Sequence, residues 1–339
     1  CGLGPERSDY KSDRRQTTVP TVYTFGLCPL IFFQLVQHTV WRWGLSVGIA
    51  FLLAGCAALG IRSSDVSDAP SRACFPVASL DSTDRALADT LVRNALNHEA
   101  LYTVAGGLKP VSTVIHERLP LARPDSVPHG TYDVVTADAE RAALDRAGQL
   151  NRVAEALTCG ALTAVVVPFA STQNQERAMQ VLFVHEQRLK ASLSEHAAFW
   201  GQWGFTPGAD PGVVITTIEH AARNDRHRGY GVLFGYPKHA VSFFVEADRR
   251  AQANGDFVER DFFHIPTHKA ETNRFTYAIP DGYAPARVDS SLYHSATAIL
   301  REYRSRRPNY RSADGTLQGI ELLRDWFRED PTVDPRRNN

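Results

Sequence analysis

Two short segments hold the side chains with the clearest capacity for chemistry. The first runs Asn97-His98-Glu99-Ala100-Leu101-Tyr102 and continues through Gly106-Gly107 to Lys109. Helical spacing over Thr83 to Ala105 places His98 on the apolar line of Leu87 and Leu91, with Asn94 and Tyr102 about 40° to either side. An inward imidazole there reads in two ways. It is a general base or ligand, with Glu99 beside it, or a core histidine satisfied by its polar neighbours, the commoner arrangement. Gly106-Gly107 ends such a helix, and Lys109 just beyond offers positive charge to an anion or to the helix C-terminus. The second segment, Arg228 to Tyr236, reads as a glycine-rich aromatic loop that enters a helix through Pro237-Lys238-His239. Rings supply contact area, glycines admit a ligand to the backbone, and a helix start receives anions. Tyr102, Lys109, Tyr236, Lys238 and His239 are therefore the candidate binding residues, and His98 and Glu99 the candidate catalytic ones. The segments lie more than a hundred residues apart, so one site requires the fold to join them.

His264 and His268 are the candidate metal ligands. Four residues apart on a helix, two imidazoles make a metal-ligand pair. Pro266 and the preceding Phe262-Phe263 favour strand or loop instead, which weakens the spacing. A Walker loop, Cys-x-x-Cys and His-Glu-x-x-His are all missing. Gly44-Leu45-Ser46-Val47-Gly48 has the nucleophile-elbow pattern but sits in an apolar stretch without the strand-to-helix turn that the elbow needs. The basic run Arg301 to Arg311 reads as a solvated helix end or as a contact for anionic headgroups. No cofactor follows from any of these patterns.

The elements that must position these groups read as mixed α/β, with helices interspersed with a small sheet. Helices are predicted over Thr83–Ala105, Thr136–Leu157, Gln187–Trp203, Val213–Arg223, Pro237–Gln252, Ser290–Arg304 and Leu317–Phe327. Ala161–Ala170 and Val181–His185 are short apolar runs suited to buried strands, and Phe262–Ile265 and Phe275–Ile279 to further ones. Residues 74–339 read as one globular domain, with a division near Gly204 to Pro211 as the alternative. The chain has 339 residues, 43% of them apolar, enough for a substantial core. Its 37 basic and 37 acidic side chains give no net charge. That balance argues against an electrostatic nucleic-acid binder. Cys74 and Cys159 either form one long-range bridge or stay as buried thiols.

The N-terminal region reads as an address. Met179 is the only methionine and only five basic residues are lysine. Residues 1–39 accordingly read as translated upstream sequence, with Val40 as a GTG start. Gly44 to Gly55 carries no charge and follows Arg42. It is shorter than the roughly twenty residues that span a bilayer, and suits a signal-peptide core. The run ends in Leu53-Ala54-Gly55-Cys56, which resembles the lipobox of bacterial lipoproteins. The resemblance implies cleavage before Cys56 and acylation of that residue, with residues 40–55 as signal peptide and 56–73 as a lipidated tether. Ala57, where aspartate would retain the protein at the inner membrane, implies sorting to the outer membrane in a Gram-negative host. The expectation is a membrane-anchored lipoprotein facing the periplasm, whose domain is a binding or envelope-associated module for a small molecule or envelope partner. The alternative is a periplasmic hydrolase, either metal-dependent or metal-free, using His98, Glu99, His264 and His268.

Overall fold

The computed structural model describes residues 74–120, 136–173, 176–272 and 274–329. The lipobox with Cys56, the signal segment and the tether lie outside the described residues.

The chain is mixed α/β, with ten α-helices and two antiparallel sheets among the described residues. The first sheet joins β1 (Val111–Pro120), β2 (Leu162–Gln173) and β3 (Glu176–His185), with β3 in the centre. Side chains alternate across it as the two-residue period of a strand demands. Val181 and Phe183 enter the core built around α1 (Ser82–Asn97) and α3 (Ala137–Ala156). Leu182 and Val184 enter a second core. That core is formed with α4 (Glu186–Glu195), α6 (Pro211–Glu219) and α7 (Arg223–Leu233). Burial on both faces explains why β3 reads as a continuous apolar run.

Local signals set the helix starts. The Asp81 carboxylate accepts from Asp84 N at 2.8 Å, Thr136 Oγ1 from Ala139 N at 3.2 Å, and Asp210 from Val213 N at 2.9 Å. Each satisfies an amide that the first turn leaves unpaired. The remaining elements are α2 (Leu101–Val104), α5 (Ala197–Trp200), α8 (Lys238–Asn254), α9 (Arg287–Arg306) and α10 (Gly319–Glu329). The second sheet is the hairpin of β4 (Arg260–Ile265) and β5 (Phe275–Pro280), which packs on α8.

Three expectations are corrected. The helix over Thr83–Ala105 breaks: α1 ends at Asn97 and His98 takes an extended conformation (ψ −160°). Tyr102 therefore does not share a helical face with Asn94. The helix over Gln187–Trp203 likewise breaks at His196. Most of the Arg228–Tyr236 segment is helix, not loop, because it belongs to α7. Its glycines serve close approach of helices: a Cβ on Gly229 would stand 2.6 Å from Ile218, and one on Gly231 2.8 Å from Val241. Strand β1, unmarked in the sequence by any apolar alternation, is the remaining surprise. His116 and Arg118 on one face are exposed, and Thr113, Val114, Ile115 and Glu117 are only half-buried.

Cys74 and Cys159 form a disulfide across 85 residues of chain, which settles that choice in favour of the bridge.

Candidate functional site

Lys109 follows α2 and is 1% exposed. Its ammonium stands 4.4 Å from the centre of the Phe275 ring and 5.5 Å from that of Phe234. Among the described residues it makes no hydrogen bond or ion pair, so ring faces are its main compensation. Burial lowers its pKa to about 8, against the opposing field of Glu99. Tyr102 packs on the same Phe275 ring at 5.6 Å, and Tyr236 at 6.0 Å. The Tyr102 hydroxyl donates to the Pro266 carbonyl. Gly235, at φ +72°, brings the end of α7 against Lys109, where a Cβ would meet its Cα at 3.5 Å. The fold thus joins Tyr102, Lys109 and Tyr236 across the chain. Glu99 sits within their field: after burial, its charge is what raises the Tyr236 pKa.

Beyond the Phe234 and Tyr236 rings lies a cavity of about 300 Å³ between α7, α8 and the β4–β5 hairpin. Six rings wall it: Tyr230, Phe234, Tyr236, Phe244, Phe262 and Tyr277. Two of the hydroxyls are committed elsewhere. Tyr230 donates to the buried Glu219 carboxylate at 2.5 Å, and Glu219 also accepts from Ala170 N at 3.0 Å. Tyr277 donates to the buried Asp289 at 2.6 Å, and Asp289 also accepts from Tyr283 at 3.0 Å and from Ala286 N at 2.8 Å. Burial raises the pKa of Tyr230 and Tyr277, and their bonds to carboxylates raise them further. Tyr236 donates to no protein acceptor among the described residues, so its hydroxyl is an uncommitted polar group on the wall. His227 also lines the cavity, with Nδ1 buried 3.4 Å from Asp248. Arg223 holds that carboxylate through two bonds, at 2.7 and 3.0 Å. Burial lowers the His227 pKa, while Asp248 opposes the shift.

No protein-family model matches this chain, and neither a curated protein nor a solved structure does.

The other candidates take separate places. His239, at the start of α8, stacks on Tyr283 at 5.2 Å and lies 3.3 Å from Asp289, without the alignment of a hydrogen bond. It stands behind Tyr277 and supports the cavity wall. Lys238 is exposed. His98 is half-buried with an unpartnered Nδ1, and burial followed by the fields of Arg274 and Lys269 lowers its pKa. His264 bonds Thr276 Oγ1 at 2.8 Å on the hairpin. His268 packs against Tyr303 at 5.2 Å in the field of Arg307, Arg304, Lys269 and Arg311. Those charges repel a divalent cation. Among the described residues, no three His, Cys, Asp or Glu side chains group closely enough to hold a metal.

Sequence reading found one wall of the cavity, Tyr236 with its α7 neighbours, and missed the other. His227 and Phe244 are unremarkable helix residues in sequence, and Phe262 and Tyr277 are ordinary strand aromatics. Their shared role arises only when the hairpin packs on α8.

Proposed function

We propose that this chain is an envelope lipoprotein, anchored through acylated Cys56, whose domain binds a compact, ring-sized small molecule. The observation that carries the binding role is the cavity walled by six aromatic rings. Binding sites of this kind are concave and mostly apolar, with few polar groups to orient the ligand. Here Tyr236 is the free hydroxyl and the His227–Asp248 pair is the ionisable one. The Cys74–Cys159 bridge suits an oxidising compartment outside the cytoplasm, which supports the exported reading.

Two measurements test the proposal. Mass spectrometry of the N-terminal peptide of the purified protein should find Cys56 as an acylated first residue; an unmodified, internal Cys56 overturns the anchor. Isothermal titration of the nanodisc-held protein with indole, corrected with empty discs, should give a saturable isotherm. Ala278 lines the cavity and is 7% exposed, so Ala278→Phe fills the space and should weaken indole binding at least tenfold. Unchanged binding by a variant with native circular dichroism would remove the cavity from the account.

A further inference from the structure

A charged side chain, Arg260, stands against one wall of the cavity without lining it. Arg260 and Phe262 lie two apart on β4 and so share one face of the hairpin. The Arg260 guanidinium carbon stands 5.9 Å from the centre of the Phe244 ring, one of the cavity walls, and 4.9 Å from that of Phe257. Its Nε donates to the Val258 carbonyl at 3.1 Å. That bond and the two rings fix the plane of the guanidinium but leave both terminal nitrogens without a partner among the described residues. Its acidic neighbours in sequence, Asp256, Glu259 and Asp261, form no ion pair with it among the described residues. The rings around it are strongly exposed for aromatics: Phe257 is 74% exposed and Phe262 53%. An oriented, uncommitted guanidinium against the Phe244 wall of a ring-walled cavity can receive a carboxylate, because its paired donors match two carboxylate oxygens.

We infer that the ligand is an aromatic carboxylate, with its planar body in the cavity and its anionic group on Arg260. This rests on the binding role proposed above and adds the ligand's charge to it. The six rings favour a planar body, since offset or edge contacts between rings add to simple burial. The carboxylate remains at Arg260, where it exchanges water for a charge-assisted pair instead of being buried alone.

The test uses the full chain in nanodiscs and three probes: indole, indole-3-propionate and the neutral indole-3-propionamide. The propionate should bind at least tenfold more tightly than the amide. Arg260→Met keeps an apolar stem over Phe244 and Phe257 but removes the charge. It should erase the difference between propionate and amide while leaving indole affinity within twofold. Equal binding of propionate and amide to the unaltered protein overturns the carboxylate inference and leaves the cavity reading intact. Failure of all three probes to bind overturns both. A preference for the propionate that survives in Arg260→Met would move the anion site away from Arg260 and overturn the assignment.

Discussion

Replacing Lys109 with methionine should stabilise the protein at pH 7 by about 2–3 kcal/mol. The lysine is 1% exposed, its ammonium faces two rings, and burial brings its pKa down to about 8 from 10.5 in the unfolded chain. A depressed lysine pKa means that folding disfavours the charged form. Below pH 8 both states are protonated and the full cost of burying the ammonium is present. Between pH 8 and 10.5 the unfolded chain binds more protons than the folded one, so stability rises with pH across that window. The gap corresponds to about 3 kcal/mol. Methionine has similar length, keeps contacts with Phe234 and Phe275, and carries no charge. Urea unfolding of the two proteins from pH 7 to pH 10 measures the effect as a difference. The difference should be largest at pH 7 and shrink as Lys109 loses its proton. The buried tyrosines also titrate at high pH, but they are common to both proteins and cancel. A methionine variant less stable than the parent at pH 7 would show that the cation–ring contacts outweigh the cost of desolvation.

How far the site could be read from sequence follows from the range of each signal. Caps at Asp81, Thr136 and Asp210 are local. The helices capped by Asp81 and Thr136 begin within one residue of the starts that the sequence predicts, whereas α6 begins at Pro211, two residues before the predicted Val213. The buried runs in β2 and β3 are also local, and both form strands. The break after Asn97 was not visible, because apolar spacing continues through Leu101 while the backbone turns at His98 to aim Tyr102 at Phe275. The glycines of α7 misled for a similar reason. Glycine in isolation signals a loop, yet Gly229 and Gly231 are required by neighbours, Ile218 and Val241, that only the folded chain supplies. Arg260 is the extreme case. Nothing in Glu259-Arg260-Asp261 distinguishes it from the many other surface arginines until the hairpin places it over Phe244.

Removal of the Cys74–Cys159 bridge should cost about 4–5 kcal/mol, the largest single effect expected in this protein. The bridge closes a loop of 85 residues, and in the chain-entropy account the unfolded ensemble loses freedom in proportion to the logarithm of that length. The native ends are held by other means. Phe75 N donates to the Thr158 carbonyl at 2.8 Å, and the Arg324 guanidinium donates to the carbonyls of Cys74 at 3.1 Å and Phe75 at 2.5 Å. Phe75 is fully buried and packs against Phe327. With so many contacts at the junction, the native structure should survive loss of the covalent link, and the cost should fall on the unfolded side. The double variant Cys74→Ser, Cys159→Ser, which leaves neither thiol unpaired, isolates the effect. Its near-ultraviolet circular dichroism should match that of the parent, while its urea midpoint falls sharply. The folding rate should fall too if the junction forms early, because the chain must then close the loop unaided. Opposing the entropic gain is Phe75 itself, held at φ +51°, a conformation that costs a residue with a Cβ about 1–2 kcal/mol. If the double variant lost less than about 1 kcal/mol, its unfolded chain would have to keep positions 74 and 159 close without the bond, and residual denatured-state structure would replace loop entropy as the explanation.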